Sequence, residues 1–340
     1  MSKPKLGDVA ARAGVSPTTV SRVLNNRGYL SQRTREKVYD AMRELGYRPN
    51  AIARSLKGQR SRMVGLVFPT VANPFYAEMV YRIESFLADA GYRVILCNSD
   101  DHPDLEEQYF EMLLSNQVDG IITGAHSQVV ANLPHVQAPL VTVDRPGTQK
   151  YPNIRADNYA GARMAVEHLV ATGAGNILHI TSTVSEQNLR LAGYRDAVTA
   201  AGMTPQVLEL GFRTPLPRKR ELIERYLKES TADTYAAMTL NWARTRNLCV
   251  PQDFQVVGFD GTETVRALIP ELATVVQPIE QIAARAVQRL LQTIESGRQG
   301  HPDDTPSPHK SDKKQQGSTA DVFPVHLHEG GTLRAITASS

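Results

Sequence analysis

Short side chains that donate and accept hydrogen bonds crowd one stretch near the start of the chain, VSPTTVSRVLNN. Ser16 followed by Pro17 predicts a helix start, with serine as the N-cap and proline at the first helical position. Helical spacing places Val20, Val23 and Leu24 on the inner face. The outer face carries Thr18, Thr19, Ser21, Arg22, Asn25 and Asn26. Arginine pairs with guanine and threonine contacts thymine methyl groups, so this face suits base-pair edges in a DNA major groove.

Two further helices are predicted to position this stretch. The apolar residues of LGDVAARAG recur at helical spacing and predict a first helix that Gly14 ends. Ser31 is the predicted N-cap of a third helix that runs through Leu45. Two short helices with a tight glycine turn and a third supporting helix are typical of a helix-turn-helix. An unrelated three-helix bundle is the alternative.

Charge is unevenly distributed along the chain. Residues 1–62 hold fourteen lysines and arginines against four acidic residues, a net charge of +10, whereas the rest of the chain holds 24 against 31, a net charge of −7. A basic segment on a mildly acidic body predicts a polyanionic partner for that segment alone. A solvated basic surface is the alternative.

From Met63 onward, short β-branched runs alternate with helical patterns. A first cycle starts at MVGLVF and ends at PLVTVDR, and a second runs from NIRADN to QVLELG and beyond. Continuous apolar strands separated by helices predict parallel sheets that are covered on both faces. We therefore expect two doubly wound α/β subdomains, with a ligand between them at the carboxyl ends of the strands.

The sequence lacks the residue patterns of common nucleotide-binding, hydrolytic and metal sites. No glycine-rich dinucleotide motif follows MVGLVF, no phosphate-loop lysine motif occurs, and no serine lies in a G-x-S-x-G turn. The histidines lack metal-ligand spacing, and Cys97 and Cys249 are predicted to be buried thiols in a reducing compartment. We predict no catalytic residue, metal or cofactor. The chain has no run of eighteen apolar residues and no apolar leader, so we expect a cytoplasmic protein without a membrane partner.

The segments KLGDVAARAGVSPTTVSRVLNN and TREKVYDAMRELGYRPNAIARSL resemble the N-terminus of the LacI/GalR family of regulators almost position for position. The resemblance implies base contacts by Pro17, Thr18 and Arg22. It implies phosphate contacts, which set register without specifying sequence, by Thr19, Ser21, Asn25, Ser31 and Thr34. Lys5, Ser16 and Tyr47 are expected to contact DNA on the same basis.

Residues 48–62, RPNAIARSLKGQRSR, fit a short hinge helix. In the family that this segment resembles, such a helix pairs with its dimer mate in the minor groove. The match implies DNA contact by Asn50, close helix–helix packing at Ala53, and a wedge between base pairs at Leu56. An inert linker is the alternative.

The resemblance extends over the body, which is similar to the periplasmic sugar-binding fold and looks most like ribose-, fructose- or sucrose-responsive members. It implies an effector pocket that contains Asn73, Phe75, Tyr76, Asp144, Arg145, Arg190, Asp260 and Gln277. Carboxylates and a guanidinium suit sugar hydroxyls, and an aromatic ring covers the apolar face of a sugar. The structural alternatives are a surface ion pair for Asp144 and Arg145, a core position for Phe75, and a helix cap for Asp260.

Two departures from the family pattern stand out. The family has a strand like DGIFAS before an Asn-Asp pair that lines the pocket, whereas YLKESTADTYAAMTLNW passes from helix to helix. Asp233 matches the second member of the pair, Ala232 replaces the first, and the strand before Thr231 is predicted to be missing. The second departure is the Pro-, Gly- and Ser-rich segment 296–321, which is predicted to be a disordered loop.

These features predict a helix-turn-helix head (1–47), a hinge (48–62) and an effector and dimerisation domain (63–340). We expect a repressor of carbohydrate-utilisation genes that binds a pseudo-palindromic operator in double-stranded DNA as a homodimer, with a tetramer as the alternative. A small sugar or phosphosugar is the expected effector, and induction is expected over corepression. Two alternatives are a DNA-binding regulator with impaired or absent effector response, because of the missing strand, and a cytoplasmic sugar-binding module.

Overall fold

The computed structural model describes residues 4–24, 28–47, 61–124, 138–144, 150–211, 213–227, 236–296 and 320–336. The chain separates into two compact units, Met1–Ser61 and Arg62–Ser340. Across the described ranges, no helix combines the length and the apolar character that spanning a membrane requires.

The first unit contains α1 (Leu6–Ala13), α2 (Pro17–Leu24) and α3 (Gln32–Leu45). Gly14 ends α1 with φ +65°, a left-handed conformation that glycine adopts without strain. Ser16 Oγ accepts a hydrogen bond from the Thr19 N–H at 3.1 Å, and Ser31 caps α3 in the same way. The core of the unit is formed by the buried side chains Val9, Ala10, Ala13, Val20, Val23, Val38 and Ala41. The predicted three-helix head is therefore confirmed.

The second unit is an α/β body. Its elements in chain order are β1 (Met63–Phe68), α4 (Pro74–Asp89), β2 (Arg93–Asn98), α5 (Pro103–Ser115), β3 (Gly120–Thr123), β4 (Leu140–Val143), β5 (Asn153–Ala156), α6 (Asn158–Ala171), β6 (Leu178–Thr181), α7 (Leu189–Ala200), β7 (Gln206–Glu209), α8 (Leu216–Leu227), α9 (Ala236–Thr245), β8 (Val257–Gly258), α10 (Glu263–Leu268), β9 (Ala273–Val276), α11 (Ile279–Ser296), β10 (Ala320–Phe323) and β11 (His326–His328).

The first subdomain is built on a parallel sheet in the order β10-β5-β4-β3-β1-β2. Helices α4 and α11 cover one face through side chains such as Met79, Ile83 and Leu290, and α5 covers the other through Phe110 and Leu113. The assignment of NIRADN to the second cycle was wrong. β5 pairs with β4 in the first sheet, and the chain crosses to the second subdomain only after β5.

The second subdomain has its strands in two separate groups. β6 pairs with β7, whereas β8, β9 and β11 form a three-stranded sheet, and no described strand joins β6 to β8. Both groups nevertheless contribute to the same apolar core, because Leu178 on β6 and Val256 just before β8 belong to one cluster. A cavity of about 310 Å³ lies between the groups and is lined by Ile177 and Leu178 on one side and Phe254 and Val257 on the other.

The predicted absence of a strand before Thr231 stays a prediction, because it falls on residues that the structure does not describe. Helix α8 ends at Leu227 and α9 begins at Ala236, and residues 228–235 between them lie outside the described residues. Most of the predicted loop, residues 297–319, lies outside the described residues. Its ends do not belong to a loop, because Ser296 ends α11 and Ala320 and Asp321 begin β10.

The two cysteines differ in their surroundings. Cys97 is buried, as predicted, but Cys249 is exposed, so the prediction of a second buried thiol was wrong. The neighbours Leu248 and Val250 pack against the core, which turns the side chain between them outward. The Cys249 N–H donates to Asp253 Oδ2 at 2.9 Å and fixes this turn.

Candidate effector pocket and DNA-contact surface

Helix α2 presents its polar residues at the surface of the head. Pro17, Thr18 and Arg22 are exposed, and Ser21 is half-buried. The Arg22 side chain forms no hydrogen bond or ion pair with the described residues. No acidic residue lies in the first turn of α2. The helix therefore offers short polar groups and one cation on a face with no carboxylate.

Hydroxyl pairs mark the starts of two helices in the head. Ser16 Oγ lies 2.9 Å from Thr19 Oγ1, and Ser31 Oγ lies 2.8 Å from Thr34 Oγ1. Helix N-termini favour anions through free N–H groups and the helix dipole, so both positions suit DNA phosphates. Lys5 is exposed, whereas Tyr47 packs partly against the head core. The predicted DNA contacts Asn25, Asn50, Ala53 and Leu56 lie outside the described residues.

Two aspartates at strand ends meet one arginine in the body. Asp144 follows β4 in the first subdomain and Asp260 follows β8 in the second, both with a positive φ (+71° and +79°). Such left-handed conformations are uncommon outside glycine and cluster at functional sites. Arg190 Nη2 lies 2.9 Å from Asp260 Oδ1 and 3.8 Å from Asp144 Oδ1. The guanidinium thus bridges the subdomains.

Two more predicted residues hold the carboxylates. Tyr76 donates its hydroxyl hydrogen to Asp144 Oδ2 at 3.2 Å, and Gln277 Nε2 donates to Asp260 Oδ1 at 2.7 Å. The buried Gln277 Oε1 has no hydrogen-bond partner among the described residues. An unsatisfied buried acceptor beside two carboxylates and a guanidinium suits a ligand rich in hydroxyl groups.

The remaining predicted pocket residues have other positions. Asn73 caps α4, since its Oδ1 accepts from the Phe75 N–H at 2.8 Å. Phe75 is buried in the core of the first subdomain with its ring centroid 5.1 Å from that of Tyr76, so it packs against the Tyr76 ring. Arg145 and Asp233 lie outside the described residues.

Two residues of the cluster were missed by sequence reasoning. Asn158 Oδ1 accepts from Arg190 Nε at 2.6 Å, and the Arg190 guanidinium carbon lies 4.0 Å from the centre of the Phe259 ring. Phe259 directly precedes Asp260, so its position next to a predicted pocket residue could have indicated it. Asn158 follows β5, and placing β5 in the first sheet would have put it at the same sheet edge as Asp144.

His179 on β6 is buried, with 5% of its surface exposed, and stacks on Tyr194 with a centroid distance of 4.9 Å. Burial, and secondarily repulsion by Arg190 and Arg195, lower the pKa of His179 to about 3. The imidazole is therefore neutral at ordinary pH.

A second contact also joins the two subdomains. Arg82 Nη2 on α4 lies 2.8 Å from Glu263 Oε1 at the start of α10, and the Glu263 N–H donates to Glu78 Oε2 at 3.0 Å. Burial raises the pKa of Glu78.

In the part of the chain that the structure describes, no group of three or more histidine, cysteine or acidic side chains is arranged to hold a metal.

Comparisons with known proteins agree with this arrangement. A model described as "Bacterial regulatory proteins, lacI family" matches residues 5–50, and one described as "Periplasmic binding proteins and sugar binding domain of LacI family" matches residues 61–315. The chain is 44% identical to the sucrose operon repressor of Pediococcus pentosaceus over 303 residues, which cover 86% of this chain and 93% of that protein. It is 35% identical to the ribose operon repressor of Halalkalibacterium halodurans, covering 85% and 89%.

Solved structures show the same fold. The lac repressor dimer bound to operator and the anti-inducer ONPF matches with a TM-score of 0.78 at 27% identity, covering 98% of this chain and all of that chain. The transcriptional regulator CelR in complex with cellobiose matches with a TM-score of 0.63 at 27% identity, covering 97% and 99%.

Proposed function

Because the chain belongs to the LacI family of bacterial regulatory proteins, we propose that it is a DNA-binding repressor of sugar-utilisation genes whose operator affinity is controlled by a sugar. One observation carries the proposal: the cluster of Tyr76, Asp144, Arg190, Asp260 and Gln277 draws its polar groups from both subdomains. A ligand that binds there changes how the subdomains are joined. The family consists of regulators rather than enzymes.

The DNA-binding part of the proposal rests on α2. Pro17, Thr18 and Arg22 are exposed on a face without carboxylates, which suits contacts to base edges in the major groove. The hydroxyls of Thr19, Ser21, Ser31 and Thr34 would bind phosphates. Two chains in a dimer place two such helices on a pseudo-palindromic operator, with the residues 48–62 of each chain at its centre.

The effector part of the proposal rests on replacing hydrogen bonds within the Arg190 cluster by hydrogen bonds to a sugar. In this structure Arg190 is bonded to Asp260, so a sugar must offer hydroxyls that replace or bridge these bonds. Carboxylates accept from hydroxyls and the guanidinium donates to them, which makes a neutral polyol a suitable ligand. Sucrose, fructose and ribose, with their phosphates, are the first candidates, because the similar curated proteins are sucrose and ribose operon repressors. A coupling of about 1–3 kcal/mol between sugar and DNA is typical of such linkage, and we expect the sugar to release DNA.

The experiment is an electrophoretic mobility shift with a pseudo-palindromic operator, titrated with these sugars and their phosphates. We expect a shift by the protein alone and its reversal by one sugar. Arg190→Met should keep the shift and lose the reversal. Arg163→Met is the matched control, since Arg163 forms an exposed ion pair with Glu167 on α6 and should leave both unchanged. No shift on any operator would refute the repressor assignment.

A DNA-binding regulator without effector control is the second candidate. The split sheet of the second subdomain favours it, because no strand among the described residues joins β6 to β8. A shift that no sugar or phosphosugar reverses, with calorimetry showing no binding, would support this candidate.

A further inference from the structure

The cluster around Arg190 contains a residue whose role is to orient the guanidinium. We propose that Asn158 is the positioning residue of Arg190: it holds Nε so that the Nη atoms face Asp260, Asp144 and a bound effector. The inference rests on the proposed effector site, and it assigns to Asn158 a contribution to sugar affinity that acts through Arg190.

Two contacts together determine the orientation of the guanidinium. The Phe259 ring lies 4.0 Å from the guanidinium carbon and sets the plane in which the group lies. The bond from Arg190 Nε to Asn158 Oδ1, at 2.6 Å, sets the rotation within that plane. With both in place, Nη2 reaches Asp260 Oδ1 at 2.9 Å. Without the Asn158 acceptor, the Phe259 ring alone leaves the Arg190 guanidinium free to rotate away from the Asp260 carboxylate.

Asn158 is itself held rigidly where the chain crosses between the subdomains. It is 5% exposed, is the first residue of α6, and its Nδ2 donates to Ala156 O at 3.4 Å. The preceding Asp157 accepts from the Ala160 N–H at 2.9 Å and donates its own N–H to Phe323 O at 2.7 Å. The position of Asn158 is therefore fixed by hydrogen bonds of its own side chain and of the preceding residue to the ends of β5 and β10.

The spacing between Asn158 and Arg190 is set by a close contact of their helices. Gly193 lies one turn after Arg190, and a Cβ at this position would lie 2.3 Å from the Tyr159 carbonyl oxygen. Only glycine allows α7 to approach the start of α6 so closely. The Tyr159 hydroxyl also donates to Asp196 Oδ2 at 2.7 Å. The first turns of α6 and α7 are thus packed tightly together, which keeps Arg190 Nε within hydrogen-bond distance of Asn158 Oδ1.

The test compares two replacements of Asn158 that differ in the acceptor. Asn158→Leu keeps the approximate shape and removes the oxygen, whereas Asn158→Asp keeps an oxygen at the same position. Tyr159→Phe is the matched control, because it removes another α6–α7 hydrogen bond without touching Arg190. If the leucine variant does not fold, as judged by circular dichroism, Asn158→Ala replaces it.

The first measurement needs no effector. In protein labelled with ¹⁵N-arginine, the Nε–H signal of Arg190 should exchange slowly with water in the wild type, in Asn158→Asp and in Tyr159→Phe. In Asn158→Leu it should exchange at least tenfold faster. Equal exchange in the wild type and the leucine variant would overturn the positioning role, whether or not any sugar binds.

The second measurement is calorimetry with the sugar that reverses the mobility shift of the wild type. We expect at least tenfold weaker binding by Asn158→Leu and a change within threefold for Asn158→Asp and Tyr159→Phe. Equal loss in the leucine and aspartate variants would show that Asn158 acts by packing and would overturn the inference. If no sugar in the panel binds the wild type, the proposed effector fails, and the exchange measurement still decides the role of Asn158.

Discussion

Replacement of the buried His179 by glutamine should remove an acid sensitivity from the second subdomain. The folded protein keeps this imidazole neutral because its pKa is lowered to about 3, whereas in the unfolded chain it has the usual pKa of 6.5. Below pH 6.5 the unfolded state therefore binds a proton that the folded state does not, and the free energy of unfolding falls. The loss starts near pH 6.5 and continues to about pH 3.

The magnitude follows from the two pKa values. At pH 5 the folded imidazole is still neutral, so the loss relative to pH 7.5 is set by protonation of the unfolded chain and amounts to about 2 kcal/mol. The nearby Arg190 and Arg195 act in the same direction by opposing a positive charge. Protonated His179 would gain little stabilisation in the folded state, because its buried Nε2 has no hydrogen-bond partner among the described residues.

The assay uses Trp242, the only tryptophan of the chain. Its side chain is buried in the cluster that includes Leu178, next to His179, so its fluorescence reports unfolding of this subdomain. Urea unfolding at pH 7.5 and pH 5 should show a loss of stability that is about 2 kcal/mol larger in the wild type than in His179→Gln. The contribution of the carboxylates to the pH dependence of stability is the same in both proteins, so it cancels when the two are compared. The same loss in both proteins would refute the reasoning.

Three further predictions concern packing, DNA and the contact between subdomains. Gly193→Ala places a methyl group against the Tyr159 carbonyl oxygen and should lower the free energy of unfolding by about 1–3 kcal/mol in urea. Arg22→Ala should weaken operator binding by about 1–3 kcal/mol through one base pair, measured by mobility shift on single-base operator variants. Arg82→Met removes the ion pair to Glu263, which is partly exposed and contributes about 0.2–1 kcal/mol, so sugar affinity measured by calorimetry should fall by no more than about fivefold.

Each of these changes has a control or a contradicting result. Gly175→Ala adds a methyl group with no atom within 4 Å and should be tolerated, so equal destabilisation would argue against the helix contact. A uniform loss of affinity across all operator variants would show that Arg22 contacts a phosphate. Arg163→Met removes an ion pair within one helix, and an affinity loss equal to that of Arg82→Met would contradict a specific role for the contact between subdomains.

The head was predictable because its signals are local. Ser16 and Ser31 cap helices whose first turns follow directly in sequence, and Gly14 adopts the left-handed conformation that its position after a helix indicates. The two aspartates beside Arg190 were predictable for a related reason. Asp144 and Asp260 each follow an apolar strand, and ligands of doubly wound folds bind outside the carboxyl ends of the strands.

The errors concern long-range pairing. Nothing near β5 shows that its partner is β4 rather than β6, because an apolar run has the same pattern in either sheet. That uncertainty also concealed Asn158, whose role depends on the sheet to which β5 belongs. The exposure of Cys249 depends on how Leu248 and Val250 turn toward the core, which composition alone does not determine.

The topology of the first subdomain has a consequence for synthesis on the ribosome. Its sheet begins at Met63 and is completed only by β10, which ends at Phe323, and α11 covers one face from equally late in the chain. At a synthesis rate of roughly 5–20 residues per second, the chain between β5 and β10 takes on the order of 10–30 s to emerge. The head, which ends before residue 50, is complete long before this. A prematurely terminated chain would therefore carry the complete three-helix head on an unfinished α/β body.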